Sequence, residues 1–145
     1  MLQNTKLTEN STVVKTIVTT EMIASICKHY GVKLIDVLTG FKYIGEQIKW
    51  FEEKGVGHYE FGFEESYGCL VGTHARDKDA IVAVMLLCEV ASWCKKQGIT
   101  LCDQMMNLYE KYGYYYTQQK SFTCEGQSGM EKIKGIMTSL REKAP

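Results

Sequence analysis

The residues best equipped for chemistry fall in one stretch, Phe61 to Asp79, with the sequence FGFEESYGCLVGTHARDKD. It opens with an alternating apolar strand, Tyr59, Phe61 and Phe63, in which Gly62 thins one face. Glu64, Glu65 and Ser66 follow at the strand's carboxyl end, then a Tyr67-Gly68 turn, then His74 and Arg76 ahead of a long apolar run. The carboxyl end of a strand in an α/β sheet is where such folds place ligands. Carboxylates accept hydrogen bonds from hydroxyls, and cations close behind suit a phosphate, so the pattern fits a polyhydroxylated anion such as a sugar phosphate. A plainer reading stands beside it: Glu64 and Glu65 as a solvated strand end, Gly68 and Gly72 as turn formers, and Asp77 or Asp79 as the N-cap of the next helix.

The elements that must position these groups are legible from periodicity. Thr12 to Val18, TVVKTIV, reads as a strand because it is rich in β-branched residues. Thr19 or Thr20 caps a helix to about His29, with Met22, Ile23, Ile26 and Cys27 on its buried side, and Gly31 stops it. Val32 to Val37 is a second strand. The segment LTGFKYIG leads into a helix to about Lys54 with Phe41, Ile44, Ile48 and Phe51 on one face. Lys42 lies off that stripe near the helix start, where a cation is disfavoured; its partner is Glu46, water or an anionic ligand.

Beyond the central stretch, Lys78 to Gln97 forms a helix apolar on nearly every side through Leu87, which places it against the sheet and a neighbour. Thr100 starts another helix, with Asp103 at the capping-box position and Leu101, Met105, Leu108 and Tyr112 as its stripe. Tyr114 to Thr123 reads as an edge strand, and Gly126 and Ser128 precede a last amphipathic helix carrying Met130, Ile133, Met137 and Leu140. The order βαβαβ, then helices and a late strand, argues for a single α/β domain of three-layer α/β/α type. Its sheet is expected to be mixed, mostly parallel at its centre. Residues 1–11 are polar and read as a flexible N-terminal edge, with the folded domain over 12–145.

Composition narrows the function. Seventeen Lys plus Arg balance seventeen Asp plus Glu in 145 residues, so there is no general field to attract nucleic acid or an anionic membrane. The three tyrosines at 114–116 lack the basic stripe and RNP-like pattern of a base-stacking surface. Six cysteines without a short CxxC pair, mostly on apolar faces, read as buried free thiols in a reducing cytoplasm rather than a zinc site or a disulfide scaffold. The most apolar run, Ala80 to Leu87, is too short to span a membrane. GxGxxG, GxxxxGK[ST] and HExxH patterns are absent, and nothing in the spacing of Cys and His marks a nucleophilic pair.

Taken together, VVKTIVTTEM, LTGFKYIGE, FGFEESYG and ARDKDAI resemble the third domain of the α-D-phosphohexomutase superfamily, the bacterial phosphoglucomutases and phosphomannomutases. The similarity runs over about residues 12–142. It implies a mixed α/β domain that contributes the sugar-recognition loop of a four-domain enzyme interconverting hexose 1- and 6-phosphates. The loop, usually GEES or GEMS in the family, matches Phe63, Glu64, Glu65 and Ser66, with Phe63 where glycine is commoner. By this resemblance Glu64 and Ser66 meet sugar hydroxyls, Lys42 approaches the sugar phosphate, and His74 and Arg76 line the cleft. The catalytic phosphoserine, the Mg2+ loop and the phosphate-binding loop are expected in other domains, leaving no cofactor or metal ligand in this chain. Asp77-Lys78-Asp79 lacks the DGDxDR pattern and sits at a helix start. The chain is thus expected to be a domain of a cytoplasmic isomerase, inactive alone, with a hexose phosphate or bisphosphate and the other domains of its polypeptide as partners. The alternatives are the equivalent domain of a phosphopentomutase, or a free-standing sugar-phosphate binding or scaffolding domain.

Overall fold

The computed structural model describes residues 6–143. Among them, four strands form one sheet in the order β2-β1-β3-β4. β1 (Ser11–Thr16) lies between β2 (Lys33–Val37) and β3 (His58–Phe63), parallel to both, and β4 (Cys69–Val71) runs antiparallel to β3. The helices are α1 (Met22–Tyr30), α2 (Phe41–Lys54), α3 (Ala80–Lys96), α4 (Leu101–Tyr112) and α5 (Gly126–Glu142). The expected α/β/α domain with a mixed, centrally parallel sheet is what the chain forms.

Successive β1 side chains point to opposite faces, and the two faces carry separate cores. Val14 packs with Phe41, Ile44, Ile48 and Phe51 of α2 and with Tyr59 and Leu70. Val13 packs on the other face with Cys27 of α1 and Val32. The stripe read for α2 is therefore buried as expected, whereas on the α1 side only Cys27 is fully buried.

β3 departs from a simple alternation. Thr12 pairs with Tyr59 but Val13 pairs with Phe61, so Glu60 is an extra residue in the strand. The bulge sends Tyr59 to the α2 face and Phe61 and Phe63 to the α1 face, where sequence alternation puts all three together. Glu60 remains buried, and its Oε1 accepts a 2.6 Å bond from Ser11 Oγ. Gly62 fills the thinned position expected of it, since a Cβ there would meet Tyr59 Oη and come within 2.6 Å of Ile44 Cγ2.

Several boundaries move. β1 ends at Thr16, because the turn begins there and leaves Ile17 and Val18 exposed. α1 is capped by Glu21 without a side-chain bond, while Thr20 Oγ1 accepts from Met22 N at 3.3 Å. Asp79, not Asp77, caps α3 by accepting from Ile81 N and Val82 N, and the Thr100–Asp103 capping box forms in full. Of the expected loose edge at 1–11, residues 1–5 lie outside the described residues; Leu7 packs on the α1-side core and Ser11 already belongs to β1.

The edge strand expected over Tyr114–Thr123 does not form. Cys69–Val71 takes the free edge of β3 instead, a three-residue strand too short to announce itself by periodicity. Residues 114–123 pair with no strand of the sheet, and side chains fix them: Tyr114 meets Tyr109 edge-on at 4.9 Å, and Tyr115 Oη bonds Ser25 Oγ at 2.7 Å. The apolar stripes of α3 and α5 are also less covered than their patterns suggest. Ile81, Val84, Met85 and Leu87 on α3, and Met130, Ile133, Met137 and Leu140 on α5, are exposed.

Candidate functional site

Because β1, β2 and β3 are parallel, their carboxyl ends share one edge of the sheet, and everything that follows them begins there. β3 delivers Glu64, β2 delivers the start of α2 with Lys42, and β1 delivers the turn into α1. Loop 64–68 is closed by a 2.9 Å bond from Glu64 N to Gly68 O. At its tip, Tyr67 is fully exposed with φ of 59°, a left-handed conformation that costs a non-glycine residue of the order of 1 kcal/mol and is concentrated at functional loops.

Within the loop, the Glu64 side chain is only 3 % exposed, and its Oε1 accepts from Ser66 Oγ at 2.5 Å and Lys78 Nζ at 2.8 Å. Among the described residues no group donates to Oε2, and no buried polar side-chain atom lacks a partner. One oxygen thus holds the loop together while the other remains an acceptor. Burial pushes the Glu64 carboxyl up, but the bonds from Lys78 and Ser66 and the charge of Lys78 outweigh it, so the group lies below its ordinary value and is ionised at neutral pH. Gly68 is required by close approach, since a Cβ would come within 2.7 Å of Lys78 Cδ and 2.9 Å of Glu64 Oε1.

A lowered carboxylate pKa contributes stability that is present at neutral pH and is lost as pH falls through the lowered value, below 4.5. Replacing Lys78 by Met removes two of the lowering influences and leaves the burial. The Glu64 titration, followed by carboxyl-carbon NMR, is expected to move upward in Lys78→Met. An unmoved midpoint would show that the Glu64–Lys78 pair does not persist in solution.

Of the five residues singled out from sequence, Glu64 and Ser66 are in direct contact. Lys42 begins α2 at the same sheet edge, next to Phe41, whose ring lies 5.8 Å from Lys78 Nζ. Among the described residues Lys42 forms no ion pair, Glu46 included, and its ammonium sits 4.7 Å from the Tyr43 ring. His74 and Arg76 are engaged elsewhere. His74 Nε2 is 3.0 Å from Asp79 Oδ2, and Arg76 bonds Glu52 of α2 at 2.5 Å and the Thr73 carbonyl at 2.8 Å. The Arg76 carbonyl also lies where a Cβ on Gly45 would be, so this loop is pressed onto α2 through a glycine.

Lys78 is the residue that sequence reasoning passed over. In sequence it is a cation at the expected start of a helix, the same anomaly that marks Lys42, and in the fold it immediately precedes the Asp79 cap of α3. Glu65 was noted without a role; its Oε2 accepts from the buried Thr16 Oγ1 at 2.7 Å. The fit of a divalent metal is poor. Among the described residues no three His, Cys, Asp or Glu side chains gather in one place, Asp77 Oδ1 accepts from Lys78 N, and Asp79 is spent on α3 and His74.

The sequence and the fold have counterparts in known proteins. The family described as phosphoglucomutase/phosphomannomutase, alpha/beta/alpha domain III, matches residues 1–112. The phosphoglucomutase of Staphylococcus aureus (strain N315) is 36% identical over 144 residues, covering 99% of this chain and 26% of that protein. That of Staphylococcus saprophyticus is 37% identical over 140 residues, 94% of this chain and 25% of that one. The crystal structure of a putative phosphomannomutase from Thermus thermophilus superposes with a TM-score of 0.58 at 25% identity, over 72% of this chain and 22% of that one. The chain spans about a quarter of the length of the curated relatives it matches. It belongs to the phosphoglucomutase/phosphomannomutase family, as the alpha/beta/alpha domain III.

Proposed function

We propose that this domain recognises the hydroxyls of a hexose phosphate on behalf of a phosphohexomutase that interconverts hexose 1- and 6-phosphates. The observation that carries the reading is Glu64: a carboxylate held ionised in a nearly closed position, with one oxygen tied to Ser66 and Lys78 and the other open. An ionised carboxylate accepts from vicinal hydroxyls, and the Ser66 hydroxyl adds a second polar contact beside it. The ammonium groups of Lys42 and Lys78 supply positive charge at the same sheet edge for the phosphate, as compact point charges rather than as forks. Hydroxyl recognition at the ring is a handle common to both orientations that such a sugar must adopt.

The phosphoserine and Mg2+ of the reaction belong, in this reading, to other domains of the same polypeptide. The bare apolar stripes of α3 and α5 offer surface for those domains to cover, and the phosphoglucomutases this chain is similar to are about four times its length. The thiols are free but not all buried as expected, Cys88 and Cys102 being exposed on α3 and α4; free thiols fit a reducing compartment, and the reading puts the enzyme in the cytoplasm. No helix among the described residues is long and apolar enough to cross a membrane.

Titrating glucose 1-phosphate into the 15N-labelled chain tests the reading. Shifts confined to Lys42, the 64–68 loop and Lys78 are expected, with a Kd of roughly millimolar, about −4 kcal/mol, because a single domain supplies only part of the contacts. Glu64→Ala should abolish them. Absence of shifts at tens of millimolar ligand, or shifts indifferent to Glu64→Ala, would refute the assignment.

A further inference from the structure

We propose that the turn between β1 and α1 is the clasp that sets the conformation of the recognition loop, with Thr16 as the positioning residue. Thr16 is fully buried at the end of the central strand, and its Oγ1 reaches across 49 residues of sequence to donate to Glu65 Oε2 at 2.7 Å. A hydroxyl has one hydrogen. Since Thr16 gives its own to Glu65, the 2.6 Å contact between Thr16 Oγ1 and Thr19 Oγ1 is a donation from Thr19, and the bonds run one way, Thr19 to Thr16 to carboxylate.

The turn that carries both threonines is itself held by a buried ammonium. Lys15 is fully buried, and its Nζ lies 3.4 Å from the Thr16 carbonyl, 3.2 Å from the Thr19 carbonyl, 2.9 Å from Glu21 Oε1 and 3.0 Å from Asp36 Oδ1. Burial favours the neutral amine, but Glu21 and Asp36 outweigh it and keep the group charged. The Thr16 carbonyl also accepts from Thr19 N at 3.0 Å, and Ile17 N donates to Val37 O at 2.8 Å, so the turn is fastened to β2 as well.

Glu65 stands between Glu64 and Ser66 and is itself exposed, so no burial dictates where its carboxylate goes. The bond from Thr16 does. Pinning the middle residue of the three sets the backbone from which Glu64 and Ser66 meet, opposite a tip residue held at φ 59°. The structural half of the proposal stands alone, and its consequence for ligand rests on the sugar-recognition reading above.

The test uses the whole 145-residue chain. Thr16→Val keeps the β-branched shape and deletes the hydroxyl, Thr16→Ser keeps the hydroxyl, and Glu65→Ala cuts the same bond from the exposed side. In 15N relaxation, the amides of Glu65, Ser66 and Tyr67 should fall from an order parameter of about 0.85 in the parent to below about 0.6 in Thr16→Val and Glu65→Ala. Thr16→Ser should retain the parent values, and Val13 and Val14 should be unaffected throughout. Glucose 1-phosphate should bind several-fold more weakly to the two loosened variants and normally to Thr16→Ser. Parent-like loop order in Glu65→Ala overturns the clasp. If the parent itself binds no sugar phosphate, the recognition reading fails while the relaxation data still decide the clasp.

Discussion

Given glucose 1-phosphate, Mg2+ and a bisphosphorylated sugar activator, the 145-residue chain is expected to produce no glucose 6-phosphate in a coupled assay. The expected loss is of the whole acceleration, which for enzymes is on the order of 10⁶-fold or more, rather than of a fraction. Phosphoryl transfer is driven by holding donor and acceptor oxygens in line and neutralising charge on the moving group. The described side chains provide a hydroxyl acceptor, a serine hydroxyl and the Lys78 ammonium, with Lys42 starting α2 at the same sheet edge; of the acidic residues before α3, Asp79 caps the helix and Asp77 accepts from Lys78 N. Joined to the remaining domains of a mutase, the same site should matter to turnover. Glu64→Ala there removes a charge-assisted hydrogen bond worth about 1.5–3 kcal/mol, a loss of roughly 10- to 150-fold in kcat/KM. Robust turnover by this chain alone, abolished in Glu64→Ala, would mean that it holds a phosphoryl donor of its own.

Gly62→Ala is the substitution expected to damage the fold most for its size. The added methyl would meet Tyr59 Oη and come within 2.6 Å of Ile44 Cγ2, between a strand and a helix whose facing side chains are fully buried. Overpacking of a rigid core costs about 1–3 kcal/mol. Relief by moving Tyr59 breaks the 3.0 Å bond from its hydroxyl to the Leu70 carbonyl, a side-chain tie added to the β3–β4 ladder, and an orphaned buried group costs about 1–3 kcal/mol more. A combined loss of roughly 2–6 kcal/mol is a large share of the stability of an ordinary domain. Urea unfolding should show a lower midpoint with the slope unchanged. A stability within about 0.5 kcal/mol of the parent, the ordinary range for a harmless surface change, would show that β3 can slide away from α2.

The helices α1 and α2, the three parallel strands and the capping of α3 and α4 could be read in the sequence because each is a local property. Phe41, Ile44, Ile48 and Phe51 recur at helical spacing whatever packs on them, Thr100 and Asp103 need only each other, and Gly31 and Gly55 end helices through a backbone preference of their own. The family was likewise carried by short motifs in order, and two residues of those motifs, Glu64 and Ser66, are hydrogen-bonded to each other. The remainder was decided by contacts between distant segments. The bulge at Glu60 exists because β3 must register with β1, so Tyr59 and Phe61 face opposite layers despite their spacing of two. The free edge of β3 can take one strand; Cys69–Val71, joined by a short loop, is adjacent to it, and 114–123 is left to side-chain contacts. Which carboxylate each of Lys78 and Thr16 meets is set only when the fold brings one 2.8 Å from Glu64 and the other 2.7 Å from Glu65. His74 and Arg76, close to that site in sequence, are drawn to Asp79 and Glu52 instead. Periodicity reports which face of an element is apolar, but which charges meet is settled by the packing of elements against one another.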